Sequence, residues 1–199
     1  MFSLLYGLWE YVSRKEELRV LIIGLDKSGK TTLLEKIKGL FGDTPGLEPH
    51  AILPTVGLNV GRLEAFQAQL LLWDLGGAPG LRSIWDKYYA DSHALLFVVD
   101  ASQPARLEEA RCELERALAS RELFGAPLLV LANKTDLAPE GGAGSSARLG
   151  LERLEGRASR VQPASALSGA GVREGLQWLV EQVRRSDRAA LLQQRATRA

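Results

Sequence analysis

Eight consecutive residues, Gly24-Leu25-Asp26-Lys27-Ser28-Gly29-Lys30-Thr31, match the phosphate-binding pattern G-x-x-x-x-G-K-[ST]. Glycines let the backbone curl around an anion, and successive N–H groups together with a helix N-terminus then face its negative charge. Lys30 would reach the β- and γ-phosphates of a nucleotide, and the Thr31 hydroxyl would hold Mg²⁺. The flanks suit this chemistry, because the apolar run Leu18–Ile23 reads as a buried strand and Thr31–Leu40 as a helix. The pattern alone does not separate ATP from GTP.

A second motif selects the base. Val130-Leu131-Ala132-Asn133-Lys134-Thr135-Asp136 closes an apolar strand with N-K-x-D. A carboxylate at Asp136 can accept from both the ring N–H and the exocyclic amine of guanine. Adenine has no such pair of donors and would leave that carboxylate unpaired, which is costly in a dry pocket. Asn133 is expected to brace the loop and the Lys134 stem to cover the base. Ser165-Ala166-Leu167, at the end of a later strand, would offer a backbone N–H to the guanine carbonyl oxygen. The predicted ligands are therefore GTP or GDP with Mg²⁺, with Asp26, Lys27, Ser28, Gly29, Lys30, Thr31 and Thr32 on the phosphates. Asn133 and Asp136 argue against a kinase or ATPase.

The elements that must position these loops alternate. A hairpin is predicted from Gly57–Glu64 and Gln67–Trp73, a helix that begins irregularly over Pro79–Tyr89, and a strand over Ala94–Val99. A charged helix from Pro104 to about Leu123 follows, then a strand at Leu128–Leu131, a loop at Glu140–Ser146 and a short helix at Arg148–Arg157. A strand at Arg160–Ala164 and a long helix at Val172–Arg185 complete the pattern. Strands that are apolar throughout and alternate with helices predict an α/β fold with a parallel sheet covered on both faces. The Pro- and Gly-rich stretch Phe41–Pro54 reads as a loop, and Ser186–Ala199 as a fraying tail with few apolar anchors.

Composition bounds the setting. The chain has 199 residues, enough for one domain with a real core, and a formal net charge of +1 that gives no reason to expect nucleic acid as a partner. Cys112, the single cysteine, cannot build a disulfide framework, so a reducing, cytoplasmic setting and a structural role for Cys112 and His93 are expected. No apolar run approaches the roughly 20 residues that span a bilayer. Residues 1–14 read as an amphipathic helix in which Phe2, Leu5, Leu8, Trp9 and Val12 share one face.

These motifs, with Pro54-Thr55-Val56-Gly57-Leu58-Asn59, Trp73-Asp74-Leu75-Gly76-Gly77 and Trp85-Asp86-Lys87-Tyr88-Tyr89, resemble the Arf family of Ras-like GTPases, and within it the Arf-related branch of the Golgi. The resemblance runs from about Phe2 to Val183. It implies a P-loop NTPase of the Ras-like type: an N-terminal helix over 1–14, a G domain over 18–185 with a six-stranded, mostly parallel sheet, and a tail over 186–199. It further implies that Thr55 coordinates Mg²⁺ and senses the γ-phosphate. Asp74 would hold the metal through water, and the Gly77 N–H would bond the γ-phosphate. Leu58, Trp73 and Tyr88 stand at the apolar effector triad, and the hairpin is expected to slide two residues along the sheet with GTP, a step that keeps every side chain on its face.

One position departs from the pattern. Ala78 stands where the family places a water-orienting glutamine, and Pro79 and Gly80 supply no replacement. Phe2 rules out N-myristoylation, so a protein receptor or an acetylated Met1 is the second membrane signal the resemblance suggests for residues 2–12. The expected partners of this monomer are an exchange factor, a GTPase-activating protein and Golgi effectors. The expected location is the cytoplasm and the peripheral trans-Golgi membrane. A GTP-binding scaffold with negligible turnover is the alternative that Ala78 favours.

Overall fold

The structure is a computed structural model in which residues 15–42, 45–138, 149–150 and 156–192 are described. The expected helix at 1–14, the loop at 140–146, residues 148 and 151–155 of the expected helix at 148–157 and the last seven residues lie outside them.

Six strands form one sheet in the order β2-β3-β1-β4-β5-β6. They are β1 (Glu16–Ile23), β2 (Leu58–Ala65), β3 (Ala68–Leu75), β4 (Ala94–Asp100), β5 (Leu128–Asn133) and β6 (Ser159–Pro163). All neighbours pair in parallel except β2 with β3, a hairpin whose register runs from Leu58↔Leu75 to Ala65↔Ala68. Its turn residues Phe66 and Gln67 both have positive φ, 52° and 59°, the handedness that a two-residue turn needs to follow the strand twist.

The central strands β1, β4 and β5 are buried on both faces over most of their length, while the edge strand β2 alternates with exposed residues and β6 stays partly exposed throughout. Leu18, Val20 and Ile22 pack with α1 (Lys30–Phe41) and α3 (Val172–Arg185), while Leu21 and Ile23 face the side of α2 (Leu107–Leu118). Each fully buried Leu, Ile or Val contributes about 1.5–3 kcal/mol, so these two layers hold the sheet rigid beneath the loops at its C-terminal edge. Those loops, with the strand ends beside them, carry the phosphate- and base-reading residues.

The helix expected over Pro79–Tyr89 is a 3-10 helix over Pro79–Tyr88 with Pro79 at its start, so the irregularity expected of its beginning runs through its length. Two expectations change. The charged segment divides into a 3-10 turn at Pro104–Arg106, α2, and a second 3-10 turn at Arg121–Leu123, where Ser120 accepts from the Glu122 N–H and starts a new element. The tail is anchored where a fraying end was expected: residues 188–192 are helical, and both Arg188 and Leu192 are 4 % exposed. Arg188 donates to the carbonyls of Ser92, Tyr89 and Phe124 at 2.9, 2.8 and 3.3 Å.

Candidate nucleotide-binding site

The loop between β1 and α1 curls as its glycines allow. Gly29 has φ +93°, where an L side chain is strained, and a Cβ there would sit 2.4 Å from Asn133 Nδ2, so any other residue would displace that amide. Lys30 is buried and its Nζ donates to the carbonyls of Gly24 and Leu25 at 3.0 and 2.7 Å. Burial lowers its pKa to about 8, against the pull of Asp74 and Asp26. An anion in the loop would raise it again.

Three oxygen-bearing side chains converge from three elements. The Thr31 hydroxyl at the start of α1 lies 2.7 Å from the Thr55 hydroxyl, and it donates to Asp74 Oδ2 at 2.7 Å. The Thr55 hydroxyl reaches the same Oδ2 at 3.4 Å. The other carboxylate oxygen, Asp74 Oδ1, is buried without a hydrogen-bond partner. Burial lifts the Asp74 pKa, opposed by the Thr31 hydroxyl and the Lys30 charge. Hard oxygen donors with an orphaned carboxylate oxygen fit Mg²⁺. Lys30, Thr31, Thr32, Thr55, Gly77 and Ala78 line a cleft of about 360 Å³.

The base-reading residues sit beside this cleft. Asn133 Nδ2 donates to the Ser28 carbonyl at 2.8 Å, and its Oδ1 accepts from the Ala166 N–H at 2.8 Å. One side chain thus joins the phosphate loop to the loop of Ser165, Ala166 and Leu167. The Ala166 N–H is taken by this bond, and the Ser165 N–H by Ala170 O at 3.0 Å. The Leu167 N–H is the one of the three that has no partner among the described residues. Lys134 is stretched across the loop, its Nζ on Lys27 O at 2.8 Å and on Asp100 Oδ2 at 2.6 Å. Asp136 is exposed at the turn that follows.

The other positions fall as follows. Trp73 and Tyr88 meet edge-on at 5.5 Å, and Val60 pairs with Trp73 across the hairpin; Leu58 lies two residues along β2, 38 % exposed. Ala78 is extended (φ −61°, ψ 144°), as the following proline favours, and its methyl is the only side chain it offers the cleft. His50 is exposed in a short 3-10 turn at Pro49–Ala51. Cys112 is exposed on α2, so it has no packing role in the core, whereas His93 is buried and accepts the Arg19 N–H at Nδ1 (3.0 Å).

Several site residues escaped the motif reading. Arg82 is buried, with Nε on Gly77 O at 2.9 Å and its other nitrogens on Glu109 and Glu113 at 2.7 and 3.0 Å. Arg106 clasps Asp26 through its carbonyl at 2.9 Å and its carboxylate at 2.7 Å, which holds the Asp26 pKa below the usual range. The loop that follows α1 is tied back to it by Glu35, which accepts from the Leu47 N–H at 3.0 Å. A Cβ on Gly46 would lie 2.0 Å from Glu35 O, so the approach depends on glycine. Arginines in charged segments read as solvated, and no spacing signal marks them. Asp100, a carboxylate ending an all-apolar strand, was the one detectable cue.

Comparison with known proteins agrees with this geometry. Residues 5–183 match the model of the ADP-ribosylation factor family. The chain is 42 % identical over 192 residues to ADP-ribosylation factor-related protein 1 of Bos taurus, covering 94 % of each chain. It is 37 % identical over 194 residues to ADP-ribosylation factor-like protein 3 of Saccharomyces cerevisiae, covering 95 % of this chain and 97 % of that one. The solved structure of the Arl6 BBS3 small GTPase from Trypanosoma brucei, with a bound nucleotide analogue GppNp, aligns with a TM-score of 0.71 and 32 % identity, over 85 % of this chain and 98 % of the other.

Proposed function

The chain belongs to the ADP-ribosylation factor family of small GTPases, and on that premise we propose that it is a Mg²⁺-dependent guanine-nucleotide switch that recruits effectors to Golgi membranes in its GTP form. The observation that carries the switch is the meeting of Thr31, Thr55 and Asp74. Thr55 comes from a loop with exposed neighbours, Leu53 at 80 % and Val56 at 86 %, and its hydroxyl is held by its two site partners. A loop held through such a contact is ordered by ligand and released without it.

Thr31 and Thr55 would hold Mg²⁺ directly and Asp74 through water, and the metal would draw charge from the phosphates. Lys30 would turn from the loop carbonyls to the phosphates. Asp136 would select guanine, Asn133 would keep the two loops in register, and Lys134 would cover the base. Leu58, Trp73 and Tyr88 would form the face that effectors read. Residues 2–12 would meet the membrane or a receptor on it, and an exchange factor and an activating protein would set the nucleotide state.

Ala78 supports a second reading, a long-lived GTP-bound module. Its methyl, followed by Pro79 and Gly80, brings no polar side chain to the cleft where a water would be oriented.

The base assignment is tested by displacement of a fluorescent GDP from purified protein. GTP and GDP should compete far better than ATP, and Asp136→Asn should erase that preference. Equal competition by ATP in the unaltered protein would overturn the guanine assignment.

A further inference from the structure

The peptide joining Gly76 to Gly77 has a different neighbour at each end. Its carbonyl, Gly76 O, accepts from the indole Nε1 of Trp85 at 3.0 Å, and Trp85 is only 2 % exposed. No described peptide bond is cis, so the Gly77 N–H points the opposite way from that carbonyl. Gly77 is buried, and its N–H has no acceptor among the described residues. Gly77 also stands against the phosphate loop, since a Cβ built on it would lie 2.5 Å from Lys30 Nζ and 2.4 Å from Gly24 O. Both glycines line the cleft that Thr31 and Thr55 share. The indole thus holds the core side of the peptide, and an unpaired donor occupies the cleft side.

The next peptide is pinned as well. Gly77 O accepts from the Asp26 N–H at 3.1 Å and from Arg82 Nε at 2.9 Å. Glycine allows the Gly76–Gly77 peptide to turn over cheaply. Turning it would strip the buried indole N–H of its acceptor, and a buried donor left unpaired is costly. The indole therefore sets the direction of the Gly77 donor before any ligand arrives, and a donor aligned in advance loses nothing to reorientation when the ligand binds.

We propose that Trp85 is a positioning residue for the terminal phosphate of a nucleoside triphosphate, acting through the Gly76–Gly77 peptide and so contributing to the discrimination of GTP from GDP. This rests on the reading that GTP occupies the cleft. A diphosphate has no third phosphate to meet the Gly77 N–H, so the indole contact strengthens triphosphate binding alone.

The test uses the full chain with Mg²⁺ and compares affinities for GDP, GTP and the non-hydrolysable analogue GppNp in the unaltered protein and in Trp85→Phe, which keeps an aromatic ring and removes the N–H. GTP and GppNp should weaken about fivefold relative to GDP, the equivalent of one hydrogen bond of about 1 kcal/mol. The GDP affinity and the melting temperature with GDP bound report any loss of packing separately. Should Trp85→Phe not fold, 3-benzothienylalanine at position 85 decides, because it replaces the indole N–H by sulfur in a ring system of the same shape. An unchanged ratio of triphosphate to diphosphate affinity, or equal weakening of both, overturns the role of Trp85. Failure of the unaltered protein to bind either guanine nucleotide overturns the underlying site reading instead.

Discussion

Asn133 and Ser28 are joined by a hydrogen bond of 2.8 Å from the Asn133 amide to the Ser28 carbonyl, although they stand 105 positions apart in sequence. The same amide group accepts from Ala166, so the spacing between phosphate loop and base loop is set by one side chain. Asn133→Ala would leave a buried acceptor and a buried donor unpaired, each at about 1–3 kcal/mol. GDP release, followed with a fluorescent analogue, should quicken by about tenfold or more. An unchanged release rate would show that the two loops keep their spacing without this bridge.

Ala78 predicts a separation of binding from chemistry. Loss of a contact made in the transition state slows turnover without weakening ground-state binding. Single-turnover phosphate release from GTP-loaded protein should be very slow, with or without an activating protein. Ala78→Gln should raise the stimulated rate at least about tenfold, the scale of a positioning effect, provided the extended backbone before Pro79 lets the amide face the γ-phosphate. If the unaltered protein already releases phosphate as fast as Ala78→Gln, another group orients the water.

The proposed membrane contact would be made by residues 2–12. Deleting residues 1–13, or changing Leu5 and Trp9 to Asp, should move the protein from Golgi membranes to the cytosol, since one weak anchor gives marginal binding. GDP affinity should not change. Persistent membrane staining of the truncated chain would place the anchor elsewhere.

His93 makes stability depend on pH. Burial, with Arg19 and Arg188 adding to it, lowers its pKa to about 4 from an unperturbed 6.5. The unfolded chain then binds more protons than the folded one between those values, so stability is full above about pH 6.5 and is lost as pH falls toward 4. The loss attributable to this residue is about 3 kcal/mol. Urea denaturation at pH 7 and pH 4.5 should show a flatter pH dependence for His93→Gln than for the unaltered protein. Identical slopes would assign the acid sensitivity to other groups.

Much of this was legible in the sequence because local pattern and global fold agree. The Val172–Arg185 helix lies where its apolar spacing put it, behind Gly171 with φ +72°. The β1 strand alternates between two cores, so its apolar run needed no partner to be recognised. The phosphate and base motifs are short segments whose backbone carries the chemistry, so their residue types suffice. The hidden part is tertiary. Arg188 satisfies carbonyls contributed by distant loops, and Arg82 pairs with the distant carboxylates of Glu109 and Glu113, partners that no local spacing foretells. The 3-10 geometry of Pro79–Tyr88 likewise follows from what its residues must reach, Gly76 O for Trp85 and Gly77 O for Arg82, and helical periodicity gives no sign of those targets.

The three carbonyls gathered by Arg188 also set a delay during synthesis. Tyr89 and Ser92 precede it by 99 and 96 positions. At translation speeds of about 5–20 residues per second, the nascent sheet waits on the order of 5–20 seconds between exposing those carbonyls and receiving the guanidinium that caps them. Through that interval the carbonyls at the rim where β4 begins are left to water, and the rim closes only when the end of the chain arrives.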